Sequence, residues 1–464
     1  MSPELISILV LVAMFAIATI RPINLGALAL VGAFGVGSLV ADMSEDDIVG
    51  AFPGDLFVIL VGITYLFAIA TNNGTIDWVV RASVRAVRGR LVAIPIVMFC
   101  LAALFTGIGA PAPAVAAILA PIAFGFAHQH GINAMLIGVL VAHGTNAGAY
   151  SPISVLGGIV NGVLDKAHMA GNDGVLFFGS FLFNVVAGAI AFWIFGGLKL
   201  LHRRAEVNGG AAEGGSTGTS TSGGDGGSAA TASVGAGPGT AGAKEGATAT
   251  AAPPAQSAPA QAGGLRLTPH QILTLTGIGA LCVATLGFDL DVGFVAITVA
   301  VILALTNLEA HKGAVQMIAW PTVLLIAGVV TYVGVLDAMG TIDYVGDTVA
   351  GIGAPLLAAL LICYVGGIVS AFASTVGILG ALIPLAVPFL QTGNLGVVGV
   401  ITALAISSSI VDVSPFSTTG ALLVANVRGM DREVFYRKLL IYGACITVIA
   451  PFATWLVLVA PGWL

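Results

Sequence analysis

The stretches TNAGAYSPIS (residues 145–154) and SSIVDVSPFS (residues 408–417) start 263 positions apart, each deep inside an apolar run. Both put Ser-Pro into what hydropathy marks as a membrane-crossing helix, with a further Ser two residues beyond the Pro. Proline has no amide hydrogen to donate and drives the residue before it out of the helical region. A helix that carries it breaks and leaves amides and carbonyls unpaired. In hydrocarbon such groups are tolerated only where protein encloses them or a water-filled cavity reaches them. The two stretches therefore read as broken helices facing an internal site. Freed amides and positive helix ends suit carboxylates, and freed carbonyls suit a cation. Ser151 and Ser154 beside Pro152, and Ser414, Ser417 and Thr418 beside Pro415, add hydroxyls that serve either. Gly144, Gly148, Gly157 and Gly158 are expected to loosen the first break further.

Composition sets the medium. Of 464 residues, 58% are hydrophobic and only 8% charged, with a mean hydropathy of +1.04, whereas about a quarter of a soluble domain is charged. Apolar runs such as 5–20, 56–70, 175–198 and 444–459 are of the length that crosses a bilayer as helices. The chain is thus an all-α polytopic membrane protein with about 11 transmembrane segments; its partners are the lipid bilayer and a small solute, not nucleic acid. The first apolar stretch has no basic residue before it and reads as a first span rather than a cleaved signal. Cys100, Cys282, Cys363 and Cys445 have neither metal nor disulfide spacing and read as packing residues. No nucleotide-binding loop, paired catalytic carboxylates or His-metal cluster occurs, which argues against a pump driven by ATP and against an enzyme.

Residues 205–264 are almost wholly Gly, Ala, Ser, Thr and Pro. Such a segment cannot bury a core and reads as a disordered linker. It separates an N-terminal membrane unit (1–204) from a C-terminal one (265–464). The units match each other. GTIDWV at 74–79 answers GTIDYV at 340–345, Pro121 answers Pro384, and Ser151-Pro152 answers Ser414-Pro415, at offsets of 266, 263 and 263. Matches in the same order mark an internal repeat.

Charge gives the orientation of the repeats. With the basic residues flanking the linker placed in the cytoplasm, 15 of the 16 Lys and Arg fall on that side and only Lys166 falls outside. Both termini are then outside. The segment from the first TID, 75–90, carries four Arg and reads as an amphipathic helix on the inner surface, while its counterpart, 341–354, carries two Asp and no base and belongs outside. The same unit in opposite orientations, with polar breaks at matched positions, marks a secondary transporter. Upstream of each break a long apolar run is interrupted (106–121 and 370–384), which suggests a re-entrant hairpin in each repeat, with tips near 110–113 and 373–377.

Two ionisable residues remain in the apolar core. Asp412 lies two residues before Ser414, and His143 lies in the first broken helix. A charge at the bilayer centre costs at least ~2.5–3.5 kcal/mol, so such residues usually serve a site. Asp412 beside an anion needs a cation or a proton to relieve the repulsion. It reads as the coupling residue; a helix-capping role is the alternative. His143 is either a proton carrier or a packed, hydrogen-bonded core residue.

The order of spans, surface helix, hairpin and broken helix, repeated and inverted, resembles the divalent anion–sodium symporters of the ion transporter superfamily. ELISILVLVAMFAIATIRPINLGALALVGAF (4–34), FPGDLFVILVGITYLFAIATNNGTIDW (52–78) and SPISVLGGI (151–159) are more closely similar to the MatC-type malonate and dicarboxylate carriers. In the symporter family each hairpin tip carries Ser-Asn-Thr, which binds a substrate carboxylate and helps bind sodium. The matching positions here read Pro111-Ala112-Pro113 and Ser374-Thr375-Val376. The resemblance implies substrate contacts at Ser374 and Thr375 as well as at the breaks. It also implies a coupling-cation region that joins Asp412 to the tips at Ala110, Pro111, Ala373 and Ser374. Sodium at Asp412 is favoured by the resemblance alone.

The expected function is cation-coupled secondary transport of a small dicarboxylate, malonate or a C4 acid, by alternating access in a bacterial inner membrane. No cofactor is expected beyond sodium or a proton as coupling ion. Another oxyanion (citrate, sulfate or arsenite), a passive anion channel and a homodimeric assembly all stay open.

Overall fold

The computed structural model describes residues 2–21, 23–86, 90–167, 169–201, 267–350, 354–371, 375–391 and 395–462. The linker lies outside the described residues, as do Ala373 and Ser374. The first half contains α1 (Pro3–Ile20), α2 (Leu25–Leu39), α3 (Glu45–Gly50), α4 (Gly54–Asn72), α5 (Thr75–Ala86), α6 (Ala93–Gly107), α7 (Ala112–His130), α8 (Ala134–Gly148), α9 (Val155–Lys166) and α10 (Asp173–Ile194). The second half contains α11 (Pro269–Phe288), α12 (Val292–Thr306), α13 (Leu308–His311), α14 (Trp320–Ala338), α15 (Thr341–Ala350), α16 (Pro355–Ser370), α17 (Thr375–Gln391), α18 (Val397–Ser409), α19 (Thr418–Asn426) and α20 (Arg432–Thr454). No strand occurs among the described residues. Among the described residues, seven segments are long and apolar enough to cross a membrane, and shorter apolar helices accompany them. The protein is an all-α, multi-pass membrane protein.

The two halves share one register. α6 and α16 end 263 residues apart, at Gly107 and Ser370; α7 and α17 begin at Ala112 and Thr375, and α9 and α19 at Val155 and Thr418, again 263 apart. Contacts between the halves are reciprocal: α2 packs on α14 and α12 on α4, while α9 packs on α17 and α19 on α7. Asn146 donates to the carbonyl oxygen of Ser409, its own repeat partner, at 3.0 Å. A residue that touches its own counterpart sits on the axis relating the two copies. At the end of α4, Asn72 donates to the carbonyls of Ala310 and Lys312 at 3.0 and 3.3 Å. That segment leads into α14, so α14 starts where its counterpart α4 finishes. The matched helices run in opposite directions, and the repeats are inverted.

Close crossings make this packing dense. A Cβ on Gly328 would lie 2.0 Å from the Gly26 carbonyl oxygen, and one on Gly62 would lie 2.6 Å from that of Gly293. These are matched crossings, α2–α14 and α12–α4. Small residues let membrane helices meet at backbone distance. Gly144 and Gly148 do the same between α8 and α6, where added Cβ atoms would come within 2.5 Å of Phe99 O and 2.1 Å of Ala103 O. They tighten the first broken helix against its neighbour rather than loosen it, because α8 stays helical through Gly148.

α5 is amphipathic as expected: Thr75, Ile76 and Val80 are buried, while Asp77, Arg81 and Arg85 face out. Lys312 lies beside the end of α4, and Gly429, next to Arg428, lies against His128 at the end of α7.

Candidate functional site

The two breaks are built alike. Ser154 caps α9 by accepting from Gly157 N at 3.2 Å, and Ser417 caps α19 by accepting from Gly420 N at 3.0 Å. The Ser154 hydroxyl also reaches back to the carbonyls of Ala149 (2.5 Å) and Ser151 (2.7 Å). The Ser417 hydroxyl reaches those of Asp412 and Ser414. Gly157 and Gly420 are required there, because a Cβ would sit 2.1 and 1.9 Å from the Ser151 and Ser414 carbonyl oxygens. Ser154 and Ser417 therefore spend their hydroxyls on the backbone that proline leaves unpaired. Ser151 and Ser414 do not. Each accepts only a long bond, 3.3 Å, from the amide two residues on, and among the described residues neither hydroxyl has an acceptor. Ser151, Ser154, Ser414 and Pro415 are buried, Pro152 is half-buried, and Thr418 is exposed at the opening turn of α19.

The first hairpin consists of α6 and α7 around a turn at 108–111. It is longer than 106–121, and its tip lies about two residues earlier than 110–113. Pro111 caps α7 and Pro113 sits in its first turn, where no amide partner is needed. The prolines thus begin the second arm instead of interrupting the first. The tip is deep. Gly109, at φ +109°, has its Cβ direction 2.7 Å from Ile63, the middle residue of α4, and 3.0 Å from the Ile153 carbonyl oxygen inside the first break. A cavity opens beside this tip, lined by Thr64, Phe67 and Thr71 of α4, by Ala110, Pro111 and Pro113, and by Met317 and Thr322 at the start of α14.

At the second hairpin, tip and break are bonded directly. Thr375, first residue of α17, donates to Asp412 Oδ1 at 2.7 Å. Ser370, last residue of α16, lies 2.7 Å from the Thr375 hydroxyl. Since Thr375 gives its proton to the carboxylate, Ser370 donates to Thr375. Asp412 sits in the 3-10 turn 410–413 that ends α18. It is partly accessible, and its Oδ2 makes no hydrogen bond among the described residues. The Ser408 hydroxyl is buried and has no partner among the described residues; it points at Gly366, one turn before Ser370 on α16. Asp412, Thr375, Ser370 and Ser408 form an oxygen-rich junction in an apolar bundle.

Two family models match the chain. Residues 1–149 match the dicarboxylate carrier protein MatC N-terminus, and residues 280–461 match the citrate transporter family. Each match covers less than half of the chain, and both are to carriers of small carboxylates. The first match runs through α8 to the edge of the first break; the second takes in the second hairpin, Asp412 and the second break. No curated protein matches the chain. The carrier transports small carboxylates and is not an enzyme.

His143 lies apart from the Asp412 junction. Its Nδ1 is 3.0 Å from Asn184 Oδ1 on α10, and its Nε2 is 2.6 Å from the Tyr442 hydroxyl on α20. Both ring nitrogens are satisfied, which is the geometry of a bolt between three helices. Tyr442→Phe in the carrier should therefore lower thermal stability by roughly 1–3 kcal/mol, the cost of an unpaired buried acceptor, and leave the cation dependence of uptake unchanged. A shift of that dependence on Tyr442→Phe would place His143 in coupling. Ser370, Ser408 and Tyr150, which donates to Ala405 O at 2.6 Å, did not stand out in the sequence, whereas Asn146 and Asn184 read as polar glue between helices and bond to Ser409 O and His143. Ser370 opens the quoted hairpin run, and its repeat register with Gly107 is the signal that marks it.

In a cation-coupled carrier, Thr375→Val should raise the cation concentration that half-activates uptake by about tenfold, since one bond to a charged group is worth about 1.5 kcal/mol or more. Thr375→Ser should restore it. Initial malonate uptake against sodium and against proton concentration is the measurement.

Proposed function

We propose that the protein is a MatC-type carrier and moves a small dicarboxylate, malonate or a C4 acid, across a bacterial inner membrane by cation-coupled alternating access. The observation that carries this reading is the Thr375–Asp412 bond, which ties a hairpin tip to a helix break through the carboxylate of a lone membrane acid. The substrate lies between the two breaks. Ser151 and Ser414 donate to its carboxylates, helped by the amino ends of α9 and α19. Sodium or a proton at Asp412 offsets the repulsion between that carboxylate and the substrate. The basic loops and the linker face the cytoplasm, and both termini face outward. The cavity beside the first hairpin tip then opens to the cytoplasm.

Purified protein in proteoliposomes should accumulate malonate or succinate against a gradient when sodium or proton gradients are imposed. Passive equilibration alone would leave a channel. The citrate-transporter match over the second half favours citrate as a second substrate candidate, so citrate belongs in the same competition panel. Ser151→Ala and Ser414→Ala should each weaken diacid binding by roughly 1–3 kcal/mol. Ser154→Ala and Ser417→Ala should instead lower thermal stability, because they uncap a helix at a cost of about 1 kcal/mol. Unchanged apparent affinity in both Ser151→Ala and Ser414→Ala would move the substrate site elsewhere.

A further inference from the structure

The inverted repeats share backbone geometry at the two tip-break junctions but not chemistry. In the shared register Asp412 answers Ala149, Thr375 answers Ala112, and Ser370 answers Gly107, each 263 residues apart. The register is anchored in space, because Ser417 bonds the Asp412 carbonyl as Ser154 bonds that of Ala149. Asp412, Thr375 and Ser370 thus have no side-chain oxygen at the matching positions of the first repeat; the hydroxyls that remain there are Thr145, which answers Ser408, and Thr106, which lies beside Gly148 and donates to the Ala102 carbonyl at 2.8 Å.

Backbone oxygens do not distinguish the two junctions. The carbonyls of Gly148, Ala149 and Ser151 accept from Ser151 N, the Ser154 hydroxyl and Ser154 N, and those of Val411, Asp412 and Ser414 accept from Ser414 N, the Ser417 hydroxyl and Ser417 N. Space is missing at the first. Gly148 is pressed onto α6 so closely that a Cβ would stand 2.1 Å from Ala103 O and 2.5 Å from Gly107 N. Its counterpart in the second repeat is Val411. The matched hydroxyls differ in the same sense: Thr145 bonds the Ala142 carbonyl at 2.7 Å, whereas Ser408 is buried without a partner among the described residues.

We propose that the carrier holds one coupling cation per cycle, at the Ser370–Thr375–Asp412 junction of the second repeat, and that the first repeat's junction holds none. The inference rests on the coupling reading given above and fixes its stoichiometry. A single carboxylate among hydroxyls suits a monovalent ion or a proton; a divalent ion generally takes several charged oxygen ligands. One cation with a doubly charged diacid carries one net negative charge inward.

The test uses the full chain in proteoliposomes, with malonate as probe in a pH range that keeps it doubly ionised. With the membrane potential clamped at zero, a tenfold inward cation gradient should hold a diacid gradient of about tenfold, since equal concentration ratios carry equal free energy. An inside-negative potential should then lower accumulation. Two cations would give about a hundredfold gradient unaffected by potential, and three would give a larger gradient that an inside-negative potential raises. Either result overturns the single-site assignment while leaving coupling intact. No accumulation with either sodium or proton gradients, in vesicles that still exchange malonate, overturns the coupling reading itself.

Discussion

Asp412→Asn carrier should bind diacid at least as tightly as the unaltered protein and yet fail to concentrate it. The amide oxygen can still accept from Thr375, which lies 2.7 Å from Oδ1 in the unaltered junction, so the tip and break stay joined. The negative charge, however, is gone. The substrate no longer meets a like charge, and no cation or proton is needed to neutralise one. Linkage makes the cation's help to the anion equal to the anion's help to the cation, so removing one side of the coupling removes both. Accumulation driven by sodium or protons should fall from many-fold to unity. Exchange of external for internal malonate should persist within about threefold, because it needs only the substrate-loaded carrier to reorient. The two assays are run on the same vesicles, so loss of protein cannot mimic the result. Full gradient-driven accumulation by Asp412→Asn would reduce Asp412 to a cap on the hairpin tip.

Gly328→Val should prevent the two halves from docking. The added Cβ would lie 2.0 Å from the Gly26 carbonyl oxygen, a backbone atom that cannot swing aside. Overpacking a fitted interior costs about 1–3 kcal/mol, occasionally more, and here the backbones of α2 and α14 must separate along their crossing. The inverted architecture adds a specific expectation. Gly62→Val, at the matched α4–α12 crossing, should be harmful in the same way, with its Cβ 2.6 Å from Gly293 O. Gly279→Ala, on α11, meets nothing within 4 Å and should be neutral. Monodisperse yield in detergent and the midpoint of thermal aggregation read all three. If Gly328→Val matched Gly279→Ala in both, the crossing would not be limiting for assembly.

Much of the fold was legible in the chain. Proline in an apolar run has a fixed local consequence, and two such sites in matched surroundings point to two broken helices wherever the rest of the chain goes. Hydropathy gave the spans, and the basic residues of α5, absent from α15, gave the opposite orientation of the repeats. Hairpin limits were less legible. Pro111 and Pro113 look like interruptions in one dimension, but they start α7, because the first turn of a helix has no use for their missing amide hydrogens. The roles of the serines divided only in space. Each break carries two that look alike in sequence; Ser154 and Ser417 cap the next helix, while Ser151 and Ser414 keep a donor free. His143 and Asp412 were both ionisable residues in the apolar core. Partners from α10 and α20 tie up both nitrogens of the first, and Thr375 takes one oxygen of the second and leaves the other open.

The sequence by itself determined the medium, the repeat, its inversion and the positions of the breaks, because these follow from local chemistry: hydrophobic length, charge bias, and a residue that cannot donate. The tertiary structure alone decided which hairpin tip meets which break, that Ser370 and Ser408 join Asp412, and that the first junction is closed by Gly148 against Gly107. Apart from Ser408 and Asp412, which are neighbours in the chain, those are contacts between segments 30 or more residues apart, and their distances depend on how closely helix backbones approach, which no single segment specifies.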